Sequence, residues 1–212
     1  MTPFKLLFDL IGPQSPDAKV PTPTERSLAA VAGFLAAMLL AAIWGIAAGS
    51  RDGHIALGNA LKVPMLLTAS SIAALPLALV VLRLTSSTGR LSDLVVAHAA
   101  ATFTGTLVLA VLAPIVALYQ HSSMWAGPWI ALGSAILGLV VGVVILIRVV
   151  AKVLPAPSGR RAVAFPFVIL WVVQLSTLLQ LASVMDPVFP ERTVFGRGID
   201  AVSDVSPKET DR

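Results

Sequence analysis

Four stretches of the chain, Ser27 to Ser50, Val63 to Leu82, Leu94 to Ile147 and Ala162 to Met185, contain no Asp, Glu, Lys or Arg. A bilayer hydrocarbon core about 30 Å thick is crossed by roughly 20 apolar residues in a helix. The helix is required because backbone polar groups have no water to bond there. The third stretch is long enough for two such helices, and Gln120-His121-Ser122-Ser123 with Gly127-Pro128 breaks it in the middle. The expected fold is an all-α polytopic transmembrane bundle of five spans: Ser27 to Gly49, Val63 to Leu84, Leu94 to Tyr119, Trp129 to Ile147 and Ala162 to Met185.

Composition argues the same way. Of 212 residues, 57% are hydrophobic and 12% charged, too little polar surface to cover a water-soluble core. No cysteine is present, so disulfides, thiolate metal sites and cysteine nucleophiles are excluded. The net charge of +4 sits in short clusters at the ends of apolar runs, which points to membrane topology rather than nucleic acid.

Residues 1–26 read as a tail, with Phe4, Leu7, Phe8 and Ile11 on one face of a short helix lying on the membrane surface. Lys5 and Asp9 interrupt its apolar patch, and Pro13, Pro16, Pro21 and Pro23 follow, which is not the pattern of a cleaved signal peptide. Residues 27–185 form the five-span domain, and 186–212 a polar tail. Lys5, Lys19, Arg26, Arg83, Arg90, Arg148, Lys152, Arg160 and Arg161 fall on one side of the five spans. The other side has Arg51, Lys62 and the tail residues Arg192, Arg197, Lys208 and Arg212. Cytoplasmic loops retain the excess of Lys and Arg, so the N-terminus is expected inside and the C-terminus outside.

His98 is the one charged or titratable side chain deep within a span, with Thr102 one turn on. Gln174 and Gln180 are further polar candidates in the fifth span, where amides hydrogen-bond across helices. A proton relay needs partners in series, and no span supplies Asp, Glu or Lys. Pro64, Pro76, Pro114 and Pro166 lie in or beside spans and are expected to shape the bundle. Two stripes of small residues are expected to be helix contacts: Gly33, Ala37, Ala41 and Gly45 in the first span, and Gly133, Gly138 and Gly142 in the fourth, extended by Gly127. The chain has no phosphate-binding glycine loop, zinc-protease His-Glu-x-x-His or Gly-x-Ser-x-Gly elbow, so neither an enzyme nor a metal or other cofactor is expected.

Trp44-Gly45-Ile46, Ala60-Leu61-Lys62-Val63-Pro64-Met65-Leu66-Leu67-Thr68, Pro76 and Leu112-Ala113-Pro114-Ile115 carry a resemblance. The chain resembles a group of uncharacterised bacterial multi-spanning proteins of the inner membrane, some of which are labelled actin-binding. Leu61-Lys62-Val63 looks like the short actin-binding consensus but opens a membrane helix, so actin is not an expected partner. In that group the last span ends in Gln and an Arg-Pro-Phe-like segment. Here Gln180 is followed by Asp186-Pro187-Val188-Phe189, with Asp186 in the arginine's place. The five-span arrangement is also similar to that of the Yip family of membrane-trafficking proteins. The resemblance implies a location in the bacterial cytoplasmic membrane and names no activity.

The sequence leads to a non-catalytic membrane scaffold or subunit that packs against other membrane proteins, or against its own copies, through small-residue faces. The alternative is a channel or transporter component with a pathway near His98 and the proline-kinked second and third spans.

Overall fold

The computed structural model describes residues 2–12, 21–85, 91–153 and 160–184. The expected tail 186–212 lies outside the described residues, as do Lys19, Arg90, and the side chains of Arg160, Arg161 and Pro166. Six helices make up the described chain: α1 (Pro3–Ile11), α2 (Pro23–Gly49), α3 (Gly53–Thr85), α4 (Leu91–Ser122), α5 (Ala126–Val153) and α6 (Arg160–Val184). Four of them, α2 to α5, are long and apolar enough to cross a membrane. In α6 the described apolar stretch is Val168–Gln180.

Helix starts follow local chemistry. A capping box opens α2, in which the Glu25 amide donates to Thr22 Oγ1 at 3.3 Å and the Thr22 amide donates to Glu25 Oε2 at 2.8 Å. Pro23 fills the first helical position, where its missing N–H removes no intrahelical bond. At the next start, Asp52 Oδ1 accepts from the amides of His54 at 2.8 Å and Ile55 at 3.3 Å. This cap lets α3 begin at Gly53, well before the expected Val63. At 33 residues and 1.5 Å per residue, α3 is about 50 Å long, more than the roughly 30 Å of a hydrocarbon core.

The inward face of α2 is made mostly of small residues and its outward face of large ones. On α2 the small residues Ala30, Gly33, Ala37, Ala41, Gly45 and Ala48 are buried, while Leu28, Val31, Leu35, Leu39, Ile43 and Ile46 form an exposed row on the other face. Lipid solvates large apolar side chains as well as protein does, so close backbone approach through small residues provides the attraction between helices.

Around the bundle, α4 packs extensively on α2 on one side and α5 on the other, α3 packs on α2, and α6 on α3. Among the described residues, contacts between α5 and α6 are sparse, as are those between α3 and α4. The helices therefore run α5, α4, α2, α3, α6 in a row that curls round without closing tightly, leaving a thin seam between α5 and α6. Lys5, Arg26, Arg83, Arg148 and Lys152 belong to one end of this bundle, and Arg51 and Lys62 to the other.

α1 forms where the sequence leads one to expect a short helix, and it packs against the bundle. It docks on α2 and touches α4 and α5, burying Leu6 and Leu7 while Phe4 and Phe8 stay about half exposed. The register turns because Leu7 fits over Gly33, whose missing Cβ leaves it room. Phe4 and Phe8 lie against the Phe103 ring of α4, with centroids 6.5 and 6.1 Å away. Lys152 Nζ donates to the Leu10 carbonyl at 2.9 Å and to the Gly12 carbonyl. A cation there answers the unpaired carbonyls at a helix C-terminus. Arg26 and Asp93 form an ion pair that ties the starts of α2 and α4 together.

Candidate functional site: an apolar cavity with a polar floor

All five long helices contribute to a partly open cavity of about 360 Å³. Its walls are almost wholly apolar and include Trp44 of α2, Leu66 and Leu67 of α3, Leu109 of α4, Ile136 of α5 and Leu178 of α6. The small residues Gly105, Gly138 and Gly142 line it as well, so part of its volume is the space their side chains leave free. Trp44 is held in place by its indole N–H, which donates to Ser134 Oγ at 2.9 Å. The Ser134 hydroxyl in turn donates to the Ala131 carbonyl at 2.7 Å. The wall of α2 is thereby fixed against α5.

Polar groups gather at one end. Ser71 lies one turn beyond the cavity-lining part of α3, His98 lies just before the lining part of α4, and Trp171 and Gln174 begin the lining part of α6. His98, Ser71 and Gln174 are almost fully buried. The Ser71 hydroxyl donates to the Leu67 carbonyl at 2.8 Å, so its oxygen acts as acceptor toward the other two. His98 Nε2 lies 3.1 Å from it and Gln174 Nε2 donates to it at 3.4 Å. Three atoms are left without a protein partner: His98 Nδ1, Gln174 Oε1 and the N–H at Trp171 Nε1. A buried polar group without a hydrogen bond costs about 1–3 kcal/mol, and all three atoms are closed off from a water-sized probe.

The candidates named from the sequence separate in space. His98 and Gln174 come together, and Thr102 lines the cavity beside them. Gln180 is exposed and stands apart from this floor. Ser71, the hub of the cluster, carried no sequence signal, because serine in a membrane helix commonly bonds its own backbone one turn back, as Ser71 also does. Pro64, Pro76 and Pro114 are absent from the cavity wall, and Pro76 and Pro114 are exposed on the outer faces of their helices.

The small-residue stripes meet partners inside the chain. A Cβ at Gly45 would lie 2.5 Å from the Asn59 carbonyl oxygen, and one at Gly138 would lie 2.9 Å from that of Gly105. At Gly142 it would meet the Trp171 ring at 3.2 Å and the Ala101 carbonyl at 3.3 Å. Ala37 and Ala41 are fully buried. Gly127 closes the α4–α5 turn against Gln120 and Tyr119. Gly133 does not join these contacts: it is exposed, and nothing lies within 4 Å of the place its Cβ would take.

Among the described residues no cluster of three His, Asp or Glu side chains suited to a metal ion occurs. No family model, curated protein or solved structure matches this chain. The site must be interpreted from its own chemistry.

Proposed function

We propose that this protein is a non-catalytic component of a bacterial cytoplasmic membrane, with five spans, the N-terminus inside and the C-terminus outside, that holds a lipid-like molecule between its helices. The cavity carries this proposal. Pockets of about 300–1,000 Å³ with mostly apolar walls and a few placed polar groups are the usual form of small-molecule sites. An α6 that completes the bundle as the fifth span makes the thin α5–α6 seam a lateral entrance from the bilayer. The scaffold function expected from the sequence then rests on the large exposed faces, since the small-residue stripes pack within the chain.

A transport role near His98 is the second proposal, supported by the polar cluster at the cavity floor. The apolar walls favour an apolar cargo, because they offer an ion nothing to replace its water.

The test uses dodecyl methyl ether, a chain with no hydrogen-bond donor, added to detergent-solubilised protein stripped of lipid and followed by native mass spectrometry. One equivalent is expected to bind. Ala135→Phe, which fills the cavity from α5, should abolish binding while the protein keeps its melting temperature. Binding unaffected by Ala135→Phe, or no binding to the wild type, overturns the cavity as the functional part.

A further inference from the structure

We infer that the cavity takes the tail of a lipid and not its head: one hydrocarbon chain enters methyl end first through the α5–α6 seam, and its polar end stays outside. The inference deepens the lipid-binding proposal and rests on it.

The position of the mouth carries the argument. Among the described residues lining the cavity, the exposed ones are Ile136 of α5 and Leu175 and Leu179 of α6, whereas those from α2, α3 and α4 are buried or half-buried. The opening therefore faces sideways, between the two helices whose described residues touch little. Ile136 lies about 15 Å along α5 from Ala126, at 1.5 Å per residue. Trp125 is exposed in the turn before α5 and Trp129 on its first turn, the placement of aromatic anchors at headgroup level. About 15 Å is half of a roughly 30 Å hydrocarbon core, so the mouth opens at the depth where bilayer lipids present chain ends. Residues 126–147 and 162–185 contain no Asp, Glu, Lys or Arg, so no charge at the seam would draw an ionic headgroup down to it.

The interior favours hydrocarbon for a second reason. The Trp44 indole N–H is committed to Ser134, and the Thr106 hydroxyl donates to the Thr102 carbonyl at 2.9 Å. Gln174 Oε1 and Trp171 Nε1 are closed off from a water-sized probe. A polar group carried inside would give up water for walls that are almost wholly apolar, whereas a methyl group gives up nothing. At roughly 30 Å³ per methylene-sized group, the 360 Å³ cavity holds about a dozen such groups. That is room for the end of one chain and too little for a whole two-chain lipid.

The experiment uses two isomers of hydroxyhexadecyl-phosphocholine, whose charged head is kept out of the bundle. One is hydroxylated at carbon 2, beside the head, and the other at carbon 16, at the tail end. Binding to the detergent-solubilised, lipid-stripped protein is followed by native mass spectrometry, with dodecyl methyl ether as the reference for an open cavity. The wild type should bind one equivalent of the 2-hydroxy isomer and bind the 16-hydroxy isomer at least about 5-fold more weakly, the worth of one net hydrogen bond. Ala135→Phe should remove the difference by filling the cavity. Leu175→Trp, which narrows the mouth from its exposed rim, serves instead if Ala135→Phe fails to fold. Equal binding of the isomers, tighter binding of the 16-hydroxy isomer, or binding of the ether and neither isomer overturns tail-first entry and leaves the cavity proposal standing. A preference that survives both variants is made outside the cavity and overturns the inference as well. No binding of the ether overturns both proposals.

Discussion

At the scale of single residues, the molecule depends on where a side chain is missing. Gly138 and Gly105 let α5 and α4 approach until each glycine's Cβ position would lie within 3 Å of the other's carbonyl oxygen. A single methyl group there meets backbone, which yields less than a flexible side chain. Gly138→Ala is therefore expected to destabilise the detergent-solubilised protein by about 1–3 kcal/mol, as overpacking does, and to lower its melting temperature. Gly133→Ala places the same methyl in open space and should stay within about 0.5 kcal/mol of the wild type. If the two variants melt together, the α4–α5 contact is not as close as described. His98 shows a different limit of single-residue reasoning. Its chain neighbour Thr102 is four residues on, yet its hydrogen-bond partner is Ser71 on another helix.

Among the helices, α1 shows how a short segment gains a place. Nine residues are too few for a stable isolated helix in water, so α1 depends on what it touches. Leu6 and Leu7 supply buried apolar surface, and Lys152 caps its C-terminal carbonyls from α5. Lys152→Met keeps the apolar stem and removes the charged donor. Amide exchange in α1 should rise at least roughly tenfold while α2 to α5 stay protected, measured by hydrogen–deuterium exchange. Unchanged exchange in α1 would mean that Leu6 and Leu7 alone hold it. Basic residues counted for topology thus include two with specific structural partners, Lys152 on α1 and Arg26 on Asp93.

On the scale of the whole molecule, the proposed orientation is accessible to experiment because no native cysteine competes with a label. In intact cells a membrane-impermeant maleimide should modify Ser122→Cys and leave Ser158→Cys untouched; the opposite pattern inverts the topology. The sequence by itself determined the helical class, the approximate bounds of α2 and α4, the end of α3 and the break between α4 and α5. Charge is excluded from hydrocarbon at a high cost, and that exclusion is written along the chain. Facing was much harder to read. These helices are apolar almost all round, so hydrophobic periodicity carries little information about which side turns inward. The small residues mark contact faces, but Gly133 looks like Gly138 in the sequence and faces open space in the structure. Only the tertiary structure decided that Ser71, His98 and Gln174, from three helices, meet in one place, and that α5 and α6 stand apart enough to leave a cavity. Those are relations between distant segments, fixed by how side-chain volumes fit together in three dimensions, and van der Waals fit leaves no local signature in the order of residues.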